Sequence, residues 1–375
     1  LLSEGSFILN ATFFTFMKIS HLRILNYRNI SSLDIEPSTL FNVIYGKNGS
    51  GKTSLLEAIS YLGYGRSFRD ARYQSLIRED QPYFAISADV IRDSTDLSDR
   101  IGVCRYRNRN QSLEISINSN KSTRLVDLVD KISVQVIHPQ GIDLILGGPE
   151  YRRNFIDWGA YYSFPNFKNC WYRYKKLLSQ RNSMLKRREP AENIQVWDEE
   201  LSKVSEEITT FREQYIDLLK PILLQKLSSF LPQFEFEILF SKGWENGLQL
   251  RSVLNLNIEK DRVLGYTFYG CHRAELRIKC NNFSASETLS RGQLKLLVCA
   301  MRLSQGYLLK HQVGKNCIYL IDDLSSELDA NSRMLLLNEL KECDSQVFLT
   351  NITNKLEIPS CSGNSFIDIE ESIEP

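Results

Sequence analysis

The chain has 375 residues, 42% of them hydrophobic, which is enough to bury a large core and suggests one large domain with an insertion or two domains. Its 46 Lys and Arg against 45 Asp and Glu leave a net charge of +1, which excludes a generally basic coat and confines any nucleic-acid contact to local patches. Eight cysteines without a C-x-x-C pair argue against a zinc site and for a reducing compartment, and no apolar run of about 18 residues is present to span a membrane, so a globular cytoplasmic protein is expected.

Residues 1–16 contain Phe13-Phe14-Thr15-Phe16 but lack the basic start and small-residue cleavage site of a signal peptide. Met17, followed at once by the strand pattern Lys18 to Ile24, reads as the natural start, with 1–16 as a disordered upstream extension. Apolar positions alternate through Ile19, Leu22 and Ile24 and, past the polar turn at Arg28 and Asn29, through Leu33 and Ile35, a meander leading to the strand Phe41 to Tyr45. There the chain reads Gly46-Lys47-Asn48-Gly49-Ser50-Gly51-Lys52-Thr53-Ser54. Gly46, Gly51, Lys52 and Thr53 fill G-x-x-x-x-G-K-[ST], in which glycines let backbone N–H groups converge on phosphates at a helix start. Lys52 is expected to reach the β- and γ-phosphates of ATP, and the Thr53 hydroxyl to coordinate Mg²⁺. The plain alternative is a glycine turn, but the strand before and the helix Thr53 to Tyr61 after it favour the phosphate loop. Arg66 and Arg69 follow in a glycine-flanked loop, and strands around Phe84 to Ile91 and Ile101 to Arg107 add an antiparallel edge.

The apolar strand Val134 to Ile137 ends in a loop that places Gln140 where a strand's carboxyl end delivers side chains to a nucleotide; a solvated loop glutamine is an equal reading. Around Tyr161 the pattern becomes helical, with Trp171, Tyr174, Leu177, Leu178, Arg181 and Leu185 on one face up to a break at Arg187-Arg188-Glu189-Pro190. Then Trp197, Leu201, Val204, Ile208, Phe211, Tyr215, Leu218 and Ile222 step by fours and threes, the spacing of a helix packed along a partner. The two helices are expected to form a short antiparallel hairpin, with Pro221 kinking or ending the second near Leu218. Strands resume at Phe234 to Phe240, Tyr266 to Phe268 and Leu276 to Lys279, so the arm is read as an insertion at 161–232 between two parts of one α/β head, 17–160 and 233–375.

Thr288-Leu289-Ser290-Arg291-Gly292-Gln293-Leu294-Lys295 opens an apolar helix, and its exposed N–H groups make Ser290, Gly292 and Gln293 a second anion-site candidate rather than a simple cap. The run Cys317 to Ile321 ends in Asp322-Asp323, a buried strand presenting carboxylates beside the phosphate loop. Asp322 is expected to help hold Mg²⁺ and Asp323 to orient or deprotonate the attacking water. Ser326-Glu327-Leu328-Asp329 completes a cassette order, with Asp329 a nucleotide-contact candidate.

Leu25-Asn26-Tyr27-Arg28-Asn29, the loop Gly46 to Thr53, Gly65 to Arg69, Gly147-Gly148-Pro149-Glu150-Tyr151-Arg152-Arg153-Asn154-Phe155-Ile156-Asp157-Trp158-Gly159, Leu289 to Lys295 and Leu320 to Asp329 together resemble the bacterial RecF family of DNA replication and repair ATPases. The resemblance covers essentially everything from Met17 onward. It implies an ABC-type ATPase head of mixed α/β fold with an inserted helical arm, a slow ATPase that dimerises on ATP, binds single- and double-stranded DNA at gaps, and works with RecO- and RecR-like partners. Arg28 and Asn29 join the nucleotide-contact candidates. This chain departs from the family at Cys271, where a proline is usual before His272, at Gln140, where an acid is frequent, and at Thr350-Asn351-Ile352-Thr353, which lacks the histidine of cassette transporters.

The residues between Arg152 and Arg188 form a basic strip interleaved with aromatics, which suits phosphate contact as well as it suits a solvated helical face. The resemblance favours DNA, and the candidates are Arg66, Arg69, Arg152, Arg153, Arg173, Lys175 and Lys176. Of the rivals, a nucleotide kinase has no use for Ser290-x-Gly292-Gln293, and a transporter subunit would set its acids much closer to the phosphate loop. A scaffold that uses ATP only to close a dimer stays open.

Overall fold

Alternation of buried and part-exposed residues along Met17–Tyr27 begins a β-rich architecture, seen in a computed structural model that describes residues 17–70, 72–92, 98–108, 113–324, 328–361 and 363–374. The stretch 1–16, read above as an extension, and Ser326-Glu327 lie outside those residues. In chain order the described strands are β1 (Met17–Tyr27), β2 (Ile30–Ile35), β3 (Phe41–Tyr45), β4 (Tyr83–Arg92), β5 (Ser98–Tyr106), β6 (Leu113–Ile117), β7 (Asn120–Ser122), β8 (Val134–Ile137), β9 (Phe236–Ser241), β10 (Glu275–Cys280), β11 (Phe283–Ser284), β12 (Ile318–Ile321), β13 (Val347–Asn351), β14 (Ser365–Asp368) and β15 (Ile373–Glu374). Contacts divide the chain into two compact units, one ending at Gly141 and resuming at Leu309, the other Ile142–Leu308.

The first unit holds two sheets. One is antiparallel, in the order β15-β2-β1-β4-β5-β6-β7; the other runs β14-β3-β13-β12-β8, and every pairing in it is parallel. Parallel pairing puts all five carboxyl ends on one edge, where open α/β sheets bind ligands. Helix α1 (Lys52–Tyr64) is buried at every position from Ser54 to Gly63, and its Leu55, Ile59 and Leu62 join one core with Ile24, Tyr27 and Phe84 of the antiparallel sheet and Ile318, Leu320 and Phe348 of the parallel one. This burial fixes the start of α1 at the carboxyl end of β3.

The second unit is mostly helical: α2 (Pro149–Ser163), α3 (Phe167–Lys186), α4 (Ala191–Phe230), α5 (Leu250–Leu256), α6 (Ile258–Leu264) and α7 (Arg291–Leu308), with β9, β10 and β11 in a three-stranded antiparallel sheet. This unit spans 142–308, wider than the arm expected at 161–232, and takes in β9 to β11 and α7 together with the arm's helices. Three local expectations change. Helix begins at Pro149, twelve residues before Tyr161, because Pro149 sits at the first helical position, where its missing N–H is harmless. Tyr266 to Phe268 form no strand, and Thr267 is held instead by Asn182. Finally, α4 neither ends nor breaks at Leu218 but runs 40 residues through Pro221. Pro221 and Asp217, whose carbonyl loses its partner, are both exposed, so water can satisfy the orphan, while buried Leu219, Leu223, Leu227 and Phe230 carry the apolar stripe onward. That stripe has moved from Leu218, 37% exposed, to Leu219, 2% exposed, the drift a straight helix shows against a seven-residue repeat.

Candidate functional site

The phosphate loop is built as its glycines require. Gly51 precedes α1 with φ +113°, a conformation open to glycine, and neither a side-chain cap nor a first-turn acid covers the helix's initial N–H groups. Ser50 Oγ is buried and has no hydrogen-bond partner among the described residues. A bare helix start with an orphan hydroxyl suits an anion. Lys52 Nζ lies back on the loop, donating to the carbonyls of Gly46 at 2.6 Å and Lys47 at 2.7 Å. Burial draws its ammonium below the ordinary lysine value, opposed by Asp322, Asp323 and Glu370.

Residues far apart in sequence meet at the acid-tipped strand. Thr53 Oγ1 lies 3.0 and 3.2 Å from the two oxygens of Asp322, and Thr350 Oγ1, at the end of β13, donates to Asp322 at 2.9 Å. The same Thr350 oxygen accepts the Asp323 N–H at 2.8 Å, which fixes Asp323 in a left-handed backbone conformation, φ +54°. Hydroxyl and carboxylate oxygens are the donors a small hard cation takes, so Thr53 and Asp322 fit Mg²⁺.

Beside the loop, Arg28 and Asn29 occupy the β1–β2 turn as expected, but their side chains brace protein. Arg28 makes two 2.7 Å hydrogen bonds to Glu57 on α1, which holds the guanidinium above its usual pKa. Glu57, fully buried, also accepts from Ser67 Oγ, whose oxygen takes the N–H groups of Arg69 and Asp70. Asn29 donates to the Gly49 carbonyl at 2.8 Å and accepts from Ser54 Oγ at 2.7 Å. Arg66 and Arg69 are exposed. Gln140 stands in the turn after β8, at the same sheet edge as the loop but with β12 and β13 between their strands; its Oε1 pairs with His138 Nδ1 at 3.1 Å rather than with the loop or the acids.

In the helical unit, Ser290 and Gln293 form a reciprocal cap at the start of α7: Ser290 N–H donates to Gln293 Oε1 at 2.9 Å and Gln293 N–H to Ser290 Oγ at 3.4 Å. Gly292 is exposed between them. The loop and this signature therefore belong to different units, although the sequence reading set them on one domain. In the first unit, Asp329 caps helix Ala330–Glu342 through Ser332, which holds its carboxyl below the usual carboxylate range. His272, which follows the departure at Cys271, is structural: burial pushes its imidazole down to about 4, and the neutral ring donates from Nε2 to the Thr267 carbonyl and accepts Tyr174 O–H at Nδ1.

The basic strip divides into internal and external members. Arg152 pairs with Glu275 at 2.7 Å, Arg153 donates to the Ala274 carbonyl at 2.9 Å, and Arg181 is fully buried. Arg173 is exposed but bound to Glu200. Lys175 and Lys176 are exposed, Lys175 over the Trp171 ring at 4.7 Å, and Lys186, Arg187 and Arg188 are exposed at the hairpin turn. Three residues of the site have no site role in the sequence analysis: Glu57, signalled only by a carboxylate within Leu55-Leu56-Glu57-Ala58; Thr350, noted there only for the histidine its segment lacks; and Glu370, whose segment carries no motif.

A family model described as the RecF/RecN/SMC N terminal domain matches residues 18–362. A relative from Shewanella pealeana, named DNA replication and repair protein RecF, is 44% identical over 336 residues, 90% of this chain and 92% of its own length. One of the same name from Shewanella frigidimarina is 41% identical over 359 residues, 95% and 99%. A solved structure described as the recombination mediator protein RecF-ATP in the RecFOR pathway superposes with a TM-score of 0.80 at 26% identity, covering 93% of this chain and 95% of that one. The Smc head domain of Pyrococcus furiosus, at 15% identity and a TM-score of 0.54, shares the fold.

Proposed function

Since the chain belongs to the RecF/RecN/SMC N-terminal domain family, we propose that it is a RecF-type DNA repair ATPase, a nucleotide-gated DNA clamp of recombinational repair and replication-fork maintenance. The observation that carries this reading is the meeting of Thr53 with Asp322, which joins the phosphate loop to the acid-tipped strand as a nucleotide–metal site needs. The backbone of Gly46 to Ser54 cradles the ATP phosphates, and Lys52 leaves the two loop carbonyls for the β- and γ-phosphates. Thr53 and Asp322 hold Mg²⁺, which when bound neutralises phosphate charge. Asp323 orients the attacking water, with Thr350 fixing its backbone.

In a head-to-tail homodimer formed on ATP, each capped Ser290 helix start meets the γ-phosphate held by the other chain, so ATP favours closure and ADP does not. Lys175 and Lys176, exposed near Trp171, and Lys186, Arg187 and Arg188, exposed at the hairpin turn, supply the DNA contacts, with Arg66 and Arg69 as further candidates on the head. Hydrolysis is slow and stimulated by DNA, and RecO- and RecR-like proteins are the partners in loading recombinase at gaps. Among the described residues no helix is long and apolar enough to cross a membrane; the proposed compartment is the cytoplasm.

Asp323→Asn tests the mechanism. An amide keeps the shape but takes no proton, so ATP binding should persist while hydrolysis falls about 100-fold or more and the dimer accumulates in sedimentation. Hydrolysis at the unsubstituted rate would refute the role given to Asp323.

A further inference from the structure

The loop carries one carboxylate that no motif explains. β14 pairs in parallel with β3, placing Phe366 opposite Val43 and Asp368 opposite Tyr45, and two residues on, Glu370 reaches the loop. Its Oε1 accepts the Lys47 backbone N–H at 2.8 Å, and its Oε2 lies 3.8 Å from Lys47 Nζ. Asp368 sets the turn by accepting the Glu370 N–H at 3.0 Å, and Ile369 between them is fully buried. β15 then pairs with β2, with Ile373 opposite Leu33. The fit is close at both ends of the loop. A Cβ on Gly46, whose φ is +150°, would stand 2.7 Å from Ile369 Cγ2, and one on Gly51 would stand 3.2 Å from Ile373 Cδ1. Residues 368–373 therefore strap the loop, and Glu370 is their polar contact with its backbone.

We propose that Glu370 is a positioning residue of the phosphate loop: through the Lys47 N–H it holds the loop's first half in the shape that receives the nucleotide phosphates. The inference rests on the reading of Gly46 to Thr53 as the nucleotide site. A loop whose shape is already fixed, here by the Lys47 N–H donating to Glu370, needs less ordering when the ligand arrives, so the hydrogen bond works through affinity rather than through the chemical step.

The side chain of Glu370 is 40% exposed, so substitution leaves the core filled. Glu370→Ala removes the acceptor and the charge; Glu370→Gln keeps one oxygen acceptor for the Lys47 N–H while removing the charge and turning the second oxygen into an NH2 donor. In the nucleotide-free protein, Glu370→Ala should raise deuterium uptake in peptides spanning residues 42–51. It should also weaken binding of a fluorescent ATP analogue about fivefold, the equivalent of about 1 kcal/mol for one net hydrogen bond, with turnover at saturation unchanged. Glu370→Gln should stay within about twofold of the unsubstituted protein on both readouts. Lys52→Ala is the control. If it weakens binding while Glu370→Ala changes neither uptake nor affinity, this inference is overturned alone; if Lys52→Ala leaves binding intact, the nucleotide-site reading falls and takes the inference with it.

Discussion

Replacing Arg181 by Met should unfold the helical unit at far lower urea than the unsubstituted protein, and more so at neutral than at acid pH. Arg181 is 0% exposed and donates to Asp198 at 2.6 Å, to Asp261 at 2.7 Å and to Thr267 at 2.9 Å; both carboxylates are 1% exposed. Met matches much of the volume but leaves two buried carboxylates without a cation, and breaking a buried pair from one side costs about 3–5 kcal/mol. Asp261 keeps the Phe268 N–H at 2.9 Å, so Asp198 bears most of the loss. Burial already pushes the Asp198 carboxyl above its usual value, opposed chiefly by Arg181, with Asp261 adding to the push and Arg251 opposing it less; in the variant the chief opposition is gone. A carboxyl whose folded pKa lies above its unfolded one, about 3.9, contributes stability that is present below the unfolded value and lost as pH rises through the folded value. The deficit should therefore be larger at pH 7 and shrink as pH falls toward the unfolded value. Urea titration by tryptophan fluorescence is a clean assay, because all four tryptophans, Trp158, Trp171, Trp197 and Trp244, lie in the unit 142–308. A loss under about 1 kcal/mol at pH 7, or a deficit that grows on acidification, would refute the argument.

Two further outcomes are expected of the proposed clamp. Ser290→Arg should leave ATP binding by the monomer intact but abolish ATP-dependent association in sedimentation; dimerisation at the unsubstituted level would sink the signature-gated contact. Charge reversal at Lys175 and Lys176 together should weaken DNA binding across sequences and lower the slope of log affinity against log salt by about 2, one phosphate per lysine, whereas Arg152→Ala, which breaks an internal pair with Glu275, should act on stability.

What the sequence discloses here follows the range of each interaction. Gly46, Gly51, Lys52 and Thr53 sit in one short stretch whose spacing is set by local backbone geometry, so the loop could be read directly, as could Asp322 and Asp323 at the end of an apolar run. The heptad steps of Leu201 to Tyr215 showed the buried face of α4, and Leu218 misled only because a straight helix turns slightly each heptad. Charge was less informative. Arg152, Arg153 and Arg181 look like Lys175 in a list of basic residues, and only the placement of Glu275, Ala274, Asp198 and Asp261 shows that three of them face inward. Glu370 was beyond reach for a related reason: its partner is Lys47, and no local periodicity links two residues at opposite ends of the chain.

The strand order of the parallel sheet also dictates a timetable for synthesis. β3 lies between β13 and β14, so Phe41 leaves the ribosome and must wait for Val347 before its ladder can form, on the order of 15 to 60 s at about 5–20 residues per second. The unit 142–308 is one uninterrupted stretch and can finish folding during that interval. Until then the nascent chain displays the apolar edge of Phe41 to Ile44 with no neighbour on either side, an exposure that invites wrong pairing and that chaperones recognise.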